Sequence, residues 1–145
     1  LFNAVRPHRA YFGQKDAQQC AVIRRMTQDL EFGIEIVILP TVREADGLAM
    51  SSRNRYLSAE ERTRASCLSR SLFGAEQMFR DGVRDAKPIV EFVRAGMADV
   101  QIDYVELVDA DTMQPIERIE RPAVLAVAAF VGPARLIDNV ILNPK

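Results

Sequence analysis

Apolar residues recur along this chain with two different periods, helical and strand-like, and the order in which they follow one another marks a change of architecture near residues 54–57. In the first part, residues 10–12 read as the end of a short strand. Across residues 16–31, Val22, Ile23, Met26 and Leu30 fall on one face at helical spacing. The run Ile34-Glu35-Ile36-Val37-Ile38-Leu39 then reads as a strand whose nearly continuous apolar character suggests burial on both faces, as in a parallel sheet. A sheet of only two strands would nevertheless expose those faces and its edge unless further strands or another copy of the chain cover them. Strand, helix and strand in that order are the grammar of a βαβ unit.

Beyond the polar segment 40–57 the pattern changes. Ser58-Ala59-Glu60-Glu61 has the Ser-x-x-Glu form of a capping box and predicts the start of one long helix. Ala65, Leu68, Leu72, Ala75 and Phe79 form its core face, and Asp81-Gly82 ends it. Residues 86–97 predict a second amphipathic helix with Ile89, Phe92 and Val93 inward. Three strands close the chain, at 103–108, 123–131 and 136–142. The fold class expected is therefore α/β: part of a parallel sheet, then a small α+β unit with a helical pair and a three-stranded antiparallel sheet. The sequence contains no internal repeat and no low-complexity segment.

Composition narrows the function. With 145 residues and 48% hydrophobic content the chain can bury a real core. A net charge of −1, with basic residues interspersed among acids and no aromatic platform, gives no reason to expect nucleic acid or an anionic membrane as partner. The longest apolar stretch, 123–131, is too short to span a bilayer, and the first residues lack the pattern of a secretory signal. Cys20 and Cys67 lie in helical patterns without metal-ligand spacing and read as buried free thiols, which fits a reducing cytoplasm. His8 has no nucleophile set beside it and reads as a solvated or capping residue.

The candidate chemistry lies in two polar loops, each following a strand: Tyr11-Phe12-Gly13-Gln14-Lys15-Asp16, and the longer segment from Thr41 to Asn54. The first leads into a helix, where free N–H groups and the helix dipole favour an anion. Lys15, Arg53 and the hydroxyls of Ser51 and Ser52 add the charge and donors that a polyphosphate requires.

Four blocks in order resemble the pantothenate synthetases, the family of ligases that join pantoate to β-alanine with ATP. They are Gly13 to Asp16 with the downstream Gln19; Pro40-Thr41-Val42-Arg43-Glu44-Ala45-Asp46-Gly47; Met50-Ser51-Ser52-Arg53-Asn54; and Gly132-Pro133-Ala134-Arg135-Leu136-Ile137-Asp138-Asn139. The resemblance implies that residues 1–55 end a Rossmann-like nucleotidyltransferase domain and that residues 56–145 form its lid. It implies an ATP site built from Gly13, Gln14, Lys15, Asp16, Val42, Met50, Ser51, Ser52 and Arg53, with Mg2+ accompanying the nucleotide. Lys15, Ser51, Ser52 and Arg53 are its implied catalytic groups. Gln19 is implied to bind pantoate, and the backbone of Val42 to recognise adenine.

Residue chemistry alone leaves alternatives beside several of these roles. Asp-x-x-Gln at a helix start is itself a capping box, which accounts for Asp16 and Gln19 without a ligand. Gly13 is equally an ordinary turn glycine, and Val42 a hydrophobic staple. The loop 50–53 is similar to the mobile phosphate loop that reads Lys-Met-Ser-Lys-Ser elsewhere in the nucleotidyltransferase superfamily, but it lacks the lysines, so the charge falls to Arg53. Arg43, Glu44 and Asp46 are family-like, with charges that equally allow pairing among themselves to shape the loop; Arg135 and Asp138 read first as a structural pair, and Glu60-Glu61-Arg62 with Arg64 as a solvated helix face.

The family's amino-terminal His-x-Gly-His-type motif is absent, and the chain opens with Leu1. It therefore reads as a carboxy-terminal portion that lacks half its active site. The complete enzyme is expected to be a homodimer acting on ATP, pantoate and β-alanine. Two other readings are a non-catalytic nucleotide-binding or structural fragment, and a related nucleotidyltransferase acting on another acid.

Overall fold

A pair of parallel strands and a three-stranded antiparallel sheet frame the computed structural model, which describes residues 1–144. A single helical turn, α1 (Phe2–Val5), precedes β1 (Arg9–Gly13). Helix α2 (Ala17–Asp29) then crosses to β2 (Glu35–Leu39), which runs parallel to β1 with Ala10 opposite Ile36 and Gly13 opposite Leu39. The βαβ unit predicted by the apolar pattern is present.

Burial in this unit is thin on both the sheet and the helix. None of the five residues of β2 is buried. With one partner strand and one crossover helix, the sheet is covered on too little of its surface to hide both faces. On α2, Val22, Met26 and Leu30 are 60%, 37% and 59% exposed, whereas Cys20 and Thr27 are buried. A two-stranded sheet is too narrow to cover a wide helical stripe, so the helix meets it along the line through Cys20 and Thr27. The Cys20 thiol donates to the carbonyl of Gly13 at 3.3 Å.

Past β2, residues 40–51 form a loop and Ser52–Tyr56 a 3-10 helix. The capping box forms as predicted: Ser58 Oγ accepts the N–H of Glu61, and the Glu61 carboxylate accepts the N–H of Ser58. The helix that it starts is not continuous. Helix α3 (Ala59–Ala65) ends at Ser66, and α4 (Cys67–Arg80) begins there. The Ser66 hydroxyl donates to the carbonyl of Thr63 at 2.7 Å, the kind of local side-chain bond that competes with the helical ladder. Asp81 caps α4, and Gly82 turns the chain with a φ of 103°.

Helices α4 and α5 (Ala86–Gly96) pack on the sheet β3 (Gln101–Asp109), β4 (Ala123–Val131) and β5 (Ala134–Leu142), whose spatial order is β3-β4-β5. Ala65, Leu68, Leu72, Ala75 and Phe79 are all buried there, as the helical spacing predicts, together with Ile89, Val93, Leu125, Val127 and Leu142. Each such Leu or Ile contributes about 2 kcal/mol of transfer free energy. Phe92 departs from the expected inward face: it is 43% exposed. It leans beside the core onto Gly74 of α4, where a Cβ would come within 2.6 Å of its ring. Cys20 and Cys67 are buried free thiols, each with its pKa pushed up by burial. Strand β5 is one edge of its sheet, and the Ser52–Tyr56 helix lies against it.

Candidate functional site

Parallel pairing places the carboxyl ends of β1 and β2 side by side, the position where open α/β sheets receive ligands. The first loop leaves β1 with the Gln14 N–H donating to the carbonyl of Leu39 at 2.8 Å. The backbone of Gly13 does not require glycine, because its φ is not positive, and a Cβ there would meet nothing within 4 Å. Its missing side chain leaves the open side of the strand end clear. Asp16 caps α2 by accepting the N–H of Gln19 at 3.0 Å, and Gln19 itself is exposed on the first turn.

The second loop doubles back as a short hairpin. Met50 N–H donates to the carbonyl of Val42, Arg43 bridges Ala49, and Gly47 turns between them with a φ of 88°. Leu48 and Ala49 are buried, while Val42 and Met50 are exposed. Ser51 then accepts the N–H of Arg53 at 3.3 Å and starts the 3-10 helix, leaving Ser52 and Arg53 exposed. The Arg53 guanidinium has no ion-pair partner among the described residues. At the end of β2, the Thr41 hydroxyl is buried without a hydrogen-bond partner among the described residues.

Lys15 joins the two loops. Its ammonium donates to the carbonyl of Met50 at 3.0 Å and to that of Ala49 at 3.3 Å. Burial pushes its pKa down. The positive charges of Arg53 and Arg43 push the same way, against the opposing effect of Asp138 and Glu44. Gly13, Gln14, Lys15, Asp16 and Gln19 thus stand on one side of the strand ends, and Val42, Met50, Ser51, Ser52 and Arg53 on the other. His8 precedes β1 and lies at the opposite end of that strand.

Several expected pairings are replaced. Arg43, Glu44 and Asp46 do not pair with one another. The Arg43 guanidinium donates to both carboxylate oxygens of Asp138, at 2.6 and 3.0 Å, and lies 4.7 Å from the centre of the Phe73 ring. Glu44 and Asp46 both accept from Arg62, which is therefore a clamp on the loop and not part of a solvated face. Arg135 pairs with Asp103 instead of Asp138. Strand β5 and helix α3 bring to the loop partners that its sequence neighbours do not reach, and Arg135 on β5 reaches across β4 to Asp103 on β3. Glu44 also accepts from Asn54, whose amide donates to the carbonyl of Ala49 as well.

Asn139 was not among the candidates, yet its side chain donates to the carbonyls of Gln14 and Lys15 at 2.9 and 3.0 Å. The signal available in the sequence was a polar Asp-Asn pair set inside the apolar run 136–142. A cavity of about 360 Å3 opens beside it, lined by Lys15, Asp16, Tyr104, Glu106, Arg135 and Asn139. A larger hollow, about 850 Å3, lies between α2 and residues 110–114 and is lined by neither phosphate-loop candidate, Lys15 nor Arg53.

Residues 1–141 match the family model of pantoate-beta-alanine ligase. The chain is 57% identical over 146 residues to the pantothenate synthetase of Thermotoga petrophila, covering 99% of this chain and 52% of that protein. It superposes on the crystal structure of pantothenate synthetase from Thermus thermophilus with a TM-score of 0.92 and 41% identity, over 99% of this chain and 52% of the other. A pantoate-beta-alanine ligase from Francisella tularensis, solved with beta-gamma ATP and beta-alanine, shares the fold with a TM-score of 0.63 and 22% identity, over 99% of this chain and 47% of the other. The chain spans about half the length of the relatives it matches, 52% of the Thermotoga petrophila protein.

Proposed function

The chain belongs to the pantoate-beta-alanine ligase family, and on that premise we propose that it forms the carboxy-terminal half of an ATP-dependent ligase that condenses pantoate with β-alanine. In that enzyme the pantoate carboxylate attacks the α-phosphate of ATP, giving pantoyl adenylate and releasing pyrophosphate. The amine of β-alanine then attacks the acyl carbon, forming the C–N bond of pantothenate and releasing AMP. No protein nucleophile is needed, so catalysis consists of positioning and charge stabilisation.

The observation that carries this reading is the meeting of Lys15 with Met50, 3.0 Å from ammonium to carbonyl, at the carboxyl ends of two parallel strands. Lys15 and Arg53 stabilise the charge that develops on the departing pyrophosphate, and the hydroxyls and amides of Ser51 and Ser52 hold its oxygens. To reach the phosphates, Lys15 exchanges the carbonyls of Ala49 and Met50 for phosphate oxygens, a move within the reach of a flexible four-carbon stem. Gly13, Gln14 and Asp16 line the nucleotide. Val42 and Met50 flank the adenosine, and Gln19 hydrogen-bonds pantoate. Residues 1–55 complete the ATP-binding domain, and residues 56–145 act as its lid.

The described residues hold no group of three or more His, Cys, Asp or Glu placed for a metal. Mg2+ would accompany the phosphates of ATP and supply charge neutralisation there. We assign the complete enzyme as a cytoplasmic homodimer working on small molecules, without nucleic acid or membrane as partner. No helix among the described residues is long and apolar enough to cross a membrane.

The test is pantoate-dependent exchange of labelled pyrophosphate into ATP by the complete ligase. Exchange that requires pantoate supports the reading, whereas exchange driven equally by an unrelated acid favours a different nucleotidyltransferase. The exposure of β2 and of Val22, Met26 and Leu30 favours a second reading of the 145 residues by themselves, a folded half-site without turnover. Exchange catalysed by this chain alone would overturn that second reading.

A further inference from the structure

Asp138 and Asn139 interrupt the apolar strand β5, are 3% and 2% exposed, and have no part in the ligation steps above. Adjacent strand residues face opposite sides, so the pair reaches out on both sides of a sheet edge. On one side, Asn139 donates to the carbonyls of Gln14 and Lys15 and accepts from the Gln14 side-chain amide at 3.1 Å. On the other, Asp138 accepts both arms of the Arg43 guanidinium and the N–H of Asn139. Arg43 in turn donates to the carbonyl of Gly47 at the tip of the second loop. The two phosphate loops, which come from different strand ends, are therefore fastened to the same two residues of a third strand.

We propose that Asp138 and Asn139 are positioning residues for adenylate formation, fixing the backbone that carries Lys15 against the hairpin that carries Ser51, Ser52 and Arg53 without touching the nucleotide. This rests on the ligase reading. Donors that meet a developing charge act only when held within a few tenths of an ångström, and misplacement by about 1 Å costs up to about a hundredfold in rate. Here the two donor sets are linked covalently only through the chain from Lys15 to Ala49, a separation of 34 positions. Strand β5, anchored by Leu136, Val140 and Leu142 in the core, supplies the missing rigidity. The polar pair is the part of β5 that reaches both loops.

The two half-reactions separate positioning from mere stability. In the complete ligase, adenylate formation from ATP and pantoate is measured in single turnover, and attack of β-alanine is measured separately on supplied pantoyl adenylate. For Asn139→Ala and Asp138→Asn, adenylate formation falls by about tenfold or more and the KM for ATP rises. The second half-reaction, which needs no pyrophosphate grip, stays within about twofold. Arg118→Ala, which breaks an exposed pair with Asp85 away from both loops, leaves both unchanged. If either buried variant fails to fold, Arg43→Lys carries the test, because it keeps the charge and loses the fork. Equal loss in both half-reactions, or no loss in either, overturns the proposal. An unsubstituted enzyme that forms no adenylate overturns the ligase reading itself, and this one with it.

Discussion

Asp138 and Arg43 meet fork to fork across 95 residues of sequence, at 2.6 and 3.0 Å, with the carboxylate 2% exposed and the guanidinium 20%. A pair desolvated to this degree is weak evidence of net stabilisation, but breaking it is costly, since removal of one partner leaves the other charge buried and unmatched. Asp138→Ala is expected to lower the unfolding free energy by about 3 kcal/mol, measured by chemical denaturation of this chain. Arg135→Ala, which breaks a pair exposed at both ends, is expected to change it by less than about 0.5 kcal/mol. Similar losses for the two variants would contradict the burial argument.

Which of these relationships could be read from residues alone follows from their range. The βαβ order, the capping box at Ser58 and the core face from Ala65 to Phe79 depend on spacing within one element, and they were legible. The grouping of Lys15 with Met50 to Arg53 was legible through the family-like strings. The partners of Arg43, Arg62 and Arg135 were not, because each is chosen by tertiary packing over tens of residues. Asn139 was missed for the same reason. The break at Ser66 was hidden because a serine hydroxyl bonding back to Thr63 has no apolar signature. The apolar character of β2 reports what the strand can bury, not how many neighbours it has, and with one partner strand its faces are left open.

Gly13 offers a separation of stability from binding. Its φ is not positive and an added Cβ meets no atom within 4 Å, so Gly13→Ala is expected to leave the stability of this chain unchanged or raise it by about 0.5 kcal/mol through the unfolded state. On the proposed assignment of Gly13 to the nucleotide site, the same methyl group is expected to raise the KM of the complete ligase for ATP. A variant that melts early while retaining its KM would reverse the assignment of Gly13 from ligand approach to turn geometry.

The uneven burial of the two sheets sets an order of local stability. All five residues of β2 are half-buried or exposed, whereas β4 is buried at seven of its nine positions. Amides of β2 are expected to exchange with solvent hydrogen faster than those of β4 by several orders of magnitude, through partial opening that leaves β3, β4 and β5 intact. Equal protection in the two sheets would show that residues 1–55 are held as firmly as the rest.

Lys15 fixes a pH dependence. Its pKa lies below the ordinary 10.5, chiefly through burial, so its ammonium is lost at lower pH than that of a solvated lysine. Adenylate formation in the complete ligase should therefore decline on an alkaline limb that begins below 10.5, and Lys15→Arg should remove the limb. The stability effect has the opposite sign. Because the folded state holds this proton less tightly than the unfolded state, charged Lys15 costs stability at neutral pH, and that cost disappears as pH rises through the folded-state value toward 10.5. An alkaline limb that survives Lys15→Arg belongs to another group.

The central claim is that Lys15, held 3.0 Å from the Met50 carbonyl, is released to the phosphates of ATP. Pantoate-dependent pyrophosphate exchange in the complete ligase, compared between the unsubstituted enzyme and Lys15→Ala, tests it most directly. The account predicts exchange in the first and a loss of about a hundredfold or more in the second, with the variant folded. Exchange by Lys15→Ala within about twofold of the unsubstituted rate, a barrier change below about 0.5 kcal/mol, would contradict it.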